Sequence, residues 1–310
     1  MANDLVTVAD FVSDALDVDP TETSEVLNRA HLVSRLPIGD TSDGSETHKY
    51  NVYTGEPAVG FRSENAGRDY DHSVDTVTTA TCKILDFSWR ADYAVANAWR
   101  NGPEDYIARE GARHLAAALY KLEKQVIYGT TSPGEAAGFE GFLDSSNLDA
   151  VDDDMVINAG GTTASQQSSV YAVKTGFNDV RLVTPMGRGP SLGETIVTEA
   201  NDTNHPVYYT PASMYIGLQL GGKYSIGRIA NISTTTDSKP LTTSLLADAY
   251  ELFEEMEPDF WLMNMKRLKD LQQGATATNP TGREAPFPAD AFGIDIVRTL
   301  AITNTEAVET

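Results

Sequence analysis

Gly217-Leu-Gln-Leu-Gly-Gly-Lys223 fits the opening of G-x-x-x-x-G-K, the loop whose backbone amides and lysine cradle nucleotide phosphates. The next position should supply a Ser or Thr hydroxyl for magnesium, and it holds Tyr224. The continuation Y-S-I-G-R-I is strand-patterned, so no helix N-terminus faces the phosphates. The segment reads as a tight turn between two strands. Asp152-Asp153-Asp154 carries the oxygen chemistry of a hard-cation site, but no glycine-turned loop with a distal Glu follows, and a solvated acidic turn is the better reading. The five histidines, His31, His48, His72, His114 and His205, form neither H-E-x-x-H nor any zinc spacing. Cys82 has no histidine close in sequence, reads as a small residue on a strand face, and excludes an internal disulfide framework. G-x-S-x-G is absent. No catalytic, metal or cofactor constellation emerges.

Composition narrows the field further. The chain has 310 residues, enough for two or more structural units, and 41% hydrophobic content, ordinary for a folded protein. No apolar run is long enough to span a membrane, and the start M-A-N-D-L-V-T-V-A-D-F has no secretory pattern. With 23 basic against 45 acidic residues, the net charge is −22. A surface this acidic is a poor binder of phosphate backbones, where Lys and Arg must replace counterions.

The elements that could position any site are clearer than a site. Two short helical patterns, Leu5 to Leu16 and Val26 to Leu32, are broken at Asp19-Pro20 and lack a core of their own. Residues 47–90 read as a long β-hairpin. Its outgoing strand is H-K-Y-N-V-Y-T-G, its tip E-N-A-G-R-D-Y-D-H, and its return strand runs from Val74 to Arg90. That return strand would reach about 50 Å, against a radius of gyration of about 20 Å for a compact chain of this length. It is too polar to bury, so the spacing predicts an arm that leaves its own subunit and lies on a neighbour.

A long helix follows, with Asn101 as expected N-cap, Pro103 in the first turn and Gly129 as terminator. Its apolar stripe is Ile107, Gly111, Leu115, Ala118, Leu119, Leu122 and Val126, with Arg109, Arg113, Lys121 and Lys124 off it. Beyond it, S-S-V-Y-A-V-K-T-G and D-V-R-L-V-T-P are expected to form a hairpin around Gly176-Phe177-Asn178. Further strands are V-Y-Y-T-P-A-S-M-Y-I-G-L-Q-L and Y-S-I-G-R-I-A-N-I. The last third reads helix (L-T-T-S-L-L-A-D-A-Y-E-L-F), strand (F-W-L-M-N), helix (M-K-R-L-K-D-L-Q-Q) and final strand (G-I-D-I-V-R).

In this order the blocks resemble the tailed-bacteriophage major capsid proteins with the Hong Kong 97-like fold. The carriers are E-P-A-V-G-F-R-S-E-N-A-G, Y-G-T with A-G-F-E-G-F, I-N-A-G-G-T-T-A-S-Q-Q-S-S-V-Y-A-V-K-T-G, V-T-P-M-G and E-P-D-F-W-L-M-N-M-K-R-L-K-D-L-Q-Q. The resemblance implies an α+β chain with four parts. These are an N-terminal arm at 1–45, an extended E-loop hairpin at 46–92, a peripheral domain at 93–235 with its spine helix at 102–128, and an axial domain at 236–310 ending in a strand. It implies a structural protein and no enzyme, assembling as hexamers and pentamers into an icosahedral shell around double-stranded phage DNA. An encapsulin-like bacterial compartment shell is the alternative. Expected partners are further copies of the chain, a separate scaffolding protein, a portal and a cement or decoration protein. DNA would be enclosed without sequence-specific contact, and no membrane or cofactor is involved. The expected location is the virion, after assembly in the host bacterial cytoplasm. Arg62, Glu64, Asn65 and Arg68 on the hairpin tip, with Arg109 and Arg113 on the helix, are the subunit-contact candidates.

Overall fold

The computed structural model describes residues 30–310 apart from 70, 187–188, 200–204, 235–238, 255 and 281. The first helical pattern and most of the second lie outside the described residues. In chain order come strands β1 (Ile38–Asp40), β2 (Thr47–Gly55), β3 (Val74–Thr81), β4 (Lys83–Asp86) and β5 (Trp89–Asp92), then helices α1 (Tyr93–Asn97) and α2 (Pro103–Tyr128). Strands β6 (Val156–Asn158), β7 (Gln167–Val173), β8 (Arg181–Thr184), β9 (Ser191–Leu192), β10 (Ile196–Glu199), β11 (Pro206–Thr210), β12 (Ala212–Gln219) and β13 (Ile226–Ser233) follow. The chain closes with α3 (Thr243–Glu251), β14 (Phe260–Met263), α4 (Met265–Ala277), β15 (Asp290–Ala291) and β16 (Ile294–Arg298).

Helix α2 has 26 residues, about 39 Å at the usual rise. Its N-cap is Gly102, at φ 98°, and not Asn101. The left-handed turn needed before Pro103 suits glycine, and the Asn101 amide instead reaches Asp105, 3.4 Å away. The stripe predicted from spacing is the buried face, but burial is complete only from Leu115 onward. Gly111 lies on that stripe because the Trp89 ring packs there: a Cβ at Gly111 would come within 2.8 Å of the ring.

The end of α2 explains the Y-G-T and A-G-F-E-G-F block. Gln125 donates to the carbonyls of Gly129, Glu135 and Phe139 and accepts from the Glu135 amide. Asp144 accepts from the Thr130 and Gly141 amides. Gly129, at φ 55°, lets the chain turn between these two anchors. Buried Glu123 secures the other side, taking the Leu32 amide at 2.6 Å and the Thr299 hydroxyl at 2.9 Å. It thereby holds residues 30–36 and the chain's last stretch against one helix.

The sheets differ from the sequence expectation in two places. The stretch 74–90 is not one strand. Only β3 pairs with β2; β4 pairs with β12 and β5 with β11, each in a different sheet. The break falls at Cys82, whose amide turns back to the Glu46 carbonyl at 2.7 Å, and again at Asp86, which accepts from the Ser88 amide and hydroxyl. The predicted hairpin around Gly176-Phe177-Asn178 is also absent. β7 pairs with β13 and β14, whereas β8 pairs with β1 and β12. Both strands are buried on both faces, so each takes its neighbours from distant parts of the chain.

The six-stranded sheet runs β15-β16-β14-β7-β13-β6. It draws strands from both sides of residue 235 and has Trp261, Tyr171, Ile229 and Ile232 fully buried. Caps in the last third agree with the patterning: Thr242 accepts from the Leu245 amide and Asn264 from the Lys266 amide. Among the described residues, no helix is long and apolar enough to cross a membrane.

Candidate functional site

The β2–β3 hairpin forms a sheet by itself. Its inward face is covered only at the root. His48 and Ala80 are paired in register and buried; Tyr50, Val52 and Thr78 are half-buried; Thr54 and Thr76 are exposed. The paired region spans about 26 Å, roughly half the reach expected from the sequence, and the loop 56–73 continues beyond it. The other face of the hairpin is exposed and largely polar, with Lys49, Asn51, Asp75 and Thr79 on it. Outward-facing Tyr53 and Val77 are also exposed.

At the root, both ring nitrogens of His48 are partnered. His48 Nδ1 accepts the Ser42 amide at 3.0 Å, so Nε2 carries the proton and donates to Gln219 Oε1 at 2.8 Å. Burial lowers the His48 pKa below its usual 6.5, with Gln219 opposing and the Arg181 guanidinium adding to the effect. Across the hairpin, Cys82 is buried against Gly217, where a Cβ would meet its Sγ at 3.1 Å. Desolvation pushes its thiol pKa up to about 11, so this cysteine is an inert packing residue.

At the tip, two expected contact residues turn out to brace the loop itself. Arg68 donates to the Gly60 carbonyl at 2.8 Å and to the Ala58 carbonyl, and Arg62 donates to the Ala66 carbonyl at 3.2 Å. A long, coreless loop leaves backbone carbonyls without ladder partners, and nearby guanidiniums satisfy them. Asn65 sits in the turn at φ 59°, a conformation Asn tolerates well, and Glu64 beside it is exposed. What sequence reading missed is apolar. Phe61 is 109% exposed and Val59 87%. The run A-V-G-F was visible as a motif, but its polar neighbours drew the attention.

The helix candidates also have partners within the chain. Arg109 lies over the Trp99 ring, 5.2 Å from its centre, and Arg113 pairs with Glu110 at 2.6 Å. Both remain exposed, on the half of α2 that is not buried. Hairpin tip and exposed helix half are therefore the two surfaces on which the contact candidates sit.

The sequence stretches that imitated chemistry resolve into structure. Between β12 and β13, Gly221 takes φ 73° and a short 3-10 turn holds Lys223. Lys223 pairs with Asp154 at 2.7 Å. Both line an open cleft of about 850 Å3, together with Asp248, Glu251 and Glu254. Among the described residues no group of His, Cys, Asp or Glu is arranged to hold a metal ion.

A two-stranded arm forming its own sheet, a long half-exposed helix and a mixed sheet with flanking helices make an α+β fold of the Hong Kong 97-like class. Residues 21–308 match the family model described as "Major capsid protein GP7". The chain belongs to that family, and it is a major capsid protein of a phage shell. Among solved structures it is similar to the bacteriophage Epsilon15 structure, with TM-score 0.65 and 20% identity over 89% of this chain and 88% of that one. It is also similar to a bacteriophage JBD30 capsid structure decorated with minor capsid protein trimers, with TM-score 0.51 and 10% identity over 86% and 88%. The SrpI encapsulin of Synechococcus elongatus PCC 7942 is more distant, at TM-score 0.44 and 11% identity over 67% and 89%. No curated protein sequence matches the chain.

Proposed function

We propose that β2, β3 and the 56–73 tip form the extended E-loop of this capsid subunit, laid across a neighbouring copy, and that α2 is the spine of its peripheral domain. The observation that carries this reading is the exposure of Phe61 and Val59 at the end of an arm that pairs with no other sheet. Exposed aromatics at the tip of a braced loop have the character of interface anchors. Full desolvation of Phe61 alone contributes about 1.5–3 kcal/mol at each contact, and a closed shell repeats it in every subunit. The exposed half of α2, with Arg109 and Arg113, offers guanidiniums to a neighbour's acidic loop.

In this reading the subunits tile as hexamers and pentamers into an icosahedral shell enclosing double-stranded DNA, and no catalytic role is involved. The subunit's net charge of −22 keeps it from adhering to the packaged phosphates. A separate scaffolding protein directs closure, a portal occupies one vertex, and a cement or decoration protein can add to the exterior. Assembly takes place in the host bacterial cytoplasm and the product resides in the virion. The test is electron microscopy of the full chain expressed with its scaffold. Closed shells built of sixfold and fivefold capsomers are the expected result. A chain that stays monomeric under every assembly condition contradicts the reading.

A further inference from the structure

The root of the hairpin borders an open cleft of about 570 Å3 lined by His48, Gln219 and Arg181. Arg181 is only 7% exposed, yet it makes no ion pair among the described residues. Its Nε donates to Gln219 Oε1 at 2.9 Å, and that oxygen also receives His48 Nε2. The other end of the Gln219 amide is committed to the Phe177 and Asp179 carbonyls, which fixes its orientation. Among the described residues, the two terminal nitrogens of Arg181 find no protein acceptor. Nη2 lies 3.4 Å from His48 Nε2, but that nitrogen already carries a proton and accepts nothing. Nη1 lies over Gly39, close enough that a Cβ there would sit 3.0 Å away.

The surroundings are built for a cation with something on it. Phe177, itself 69% exposed, covers the guanidinium at 4.2 Å from its ring centre. Lys49 and Asn178 line the same cleft, with Asp40 also on its wall. Burial pulls the Arg181 pKa down, and no neighbouring charge offsets it. In a chain with about twice as many acids as bases, a largely buried guanidinium that opens on a cleft and has no carboxylate paired to it is conspicuous. The fork of an arginine matches two oxygens of one oxyanion in bidentate fashion.

We propose that the cleft at the hairpin root is an oxyanion-binding site, taking one carboxylate or phosphate group on the terminal nitrogens of Arg181. The group comes either from a second copy of the chain, as an Asp or Glu side chain, or from solution as free phosphate. Occupation couples the root of the arm to whatever carries the anion.

The experiment uses the full chain as unassembled subunits, titrated with inorganic phosphate and separately with acetate at fixed ionic strength. Hydrogen exchange of residues 47–50 and 177–181 is read against the remote helix 265–277. Saturable protection at the root but not at the helix is expected, weakened at least tenfold in apparent affinity by Arg181→Met and less by Arg181→Lys. Should Arg181→Met fail to fold, the wild-type contrast between root and helix still decides. The same titration on assembled shells separates the sources. Protection lost on assembly assigns the anion to a neighbour's carboxylate, and protection retained assigns it to free phosphate. Absence of saturable protection in the subunit, or equal protection in Arg181→Met, overturns the site.

Discussion

Tyr128, the last residue of α2, donates its hydroxyl to the buried Glu306 carboxylate at 2.6 Å. Ser169 on β7 donates to the same carboxylate at 2.6 Å, and Arg228 on β13 pairs with Glu309 at 2.9 Å. The final residues are thus fastened to the long helix and to the central sheet by side chains far apart in sequence. Tyr128→Phe removes the hydrogen bond to Glu306 and takes from the Thr303 amide the acceptor it reaches at 2.8 Å. The expected loss is about 1.5–3 kcal/mol, measured by chemical denaturation of the subunit; a change below about 0.5 kcal/mol would remove Glu306 from the anchoring scheme.

Glu306 also gives a pH signature. Burial raises its pKa above the usual 4.5, with the Ser169, Tyr128 and Arg228 contacts opposing. For an acid with a raised folded pKa, the contribution is fully present below the ordinary value and lost as pH rises through the folded one. Relative to Glu306→Gln, the wild-type subunit should therefore lose stability as pH climbs from the ordinary glutamate range toward neutrality. A stability difference between the two that stays flat with pH contradicts this.

The hairpin root carries the opposite sign. The His48 pKa is lowered by burial first, then by Arg181, with Gln219 and Asp43 acting the other way. Its contribution is present above the ordinary histidine value and lost as pH falls through the folded one. Protonation would also set an Nδ1 proton against the Ser42 amide. The protection factors of amides in β2 and β3 should fall on acidification below the ordinary histidine range, and His48→Gln should remove that dependence. Identical pH profiles in both proteins would exclude His48 as the titrating group.

Gly111 tests the packing of α2 on β5. Alanine gains about 1 kcal/mol of helix propensity over glycine, so a freely accommodating site would be stabilised. Here the new Cβ would come within 2.8 Å of the buried Trp89 ring, and overpacking of this kind costs about 1–3 kcal/mol. Gly111→Ala should be destabilising, and a gain in the thermal midpoint would show that the ring can move away.

Much of the architecture was legible because local pattern and tertiary role coincide. The α2 stripe, its Gly129 stop, the capped helices α3 and α4 and the polar arm all follow from spacing and residue type. What escaped was decided by partners remote in sequence. The 74–90 stretch has uniform β-character, so nothing local says that β4 and β5 leave β2 for β12 and β11. The same holds for β7 and β8, buried strands whose turn-rich linker imitates a hairpin. Glu123, Gln125 and Glu306 read as ordinary polar residues, since only the fold brings Leu32, Phe139 and Tyr128 to them. At the tip, Arg62 and Arg68 were read as subunit-contact candidates and not as internal braces, because their acceptors are backbone carbonyls, which carry no sequence signature.

The central claim, that the arm acts between subunits and not within one, is tested most directly by Phe61→Ser. The thermal midpoint is measured on the isolated subunit and on assembled shells. Phe61 touches nothing that its loss would uncover in the subunit, so that midpoint should stay within about a degree of wild type, as expected for a fully exposed residue. Shells should form in lower yield or melt well below wild type, each contact having lost about 1.5–3 kcal/mol of apolar burial. Equal destabilisation of subunit and shell, or shells of unchanged stability, would contradict the claim.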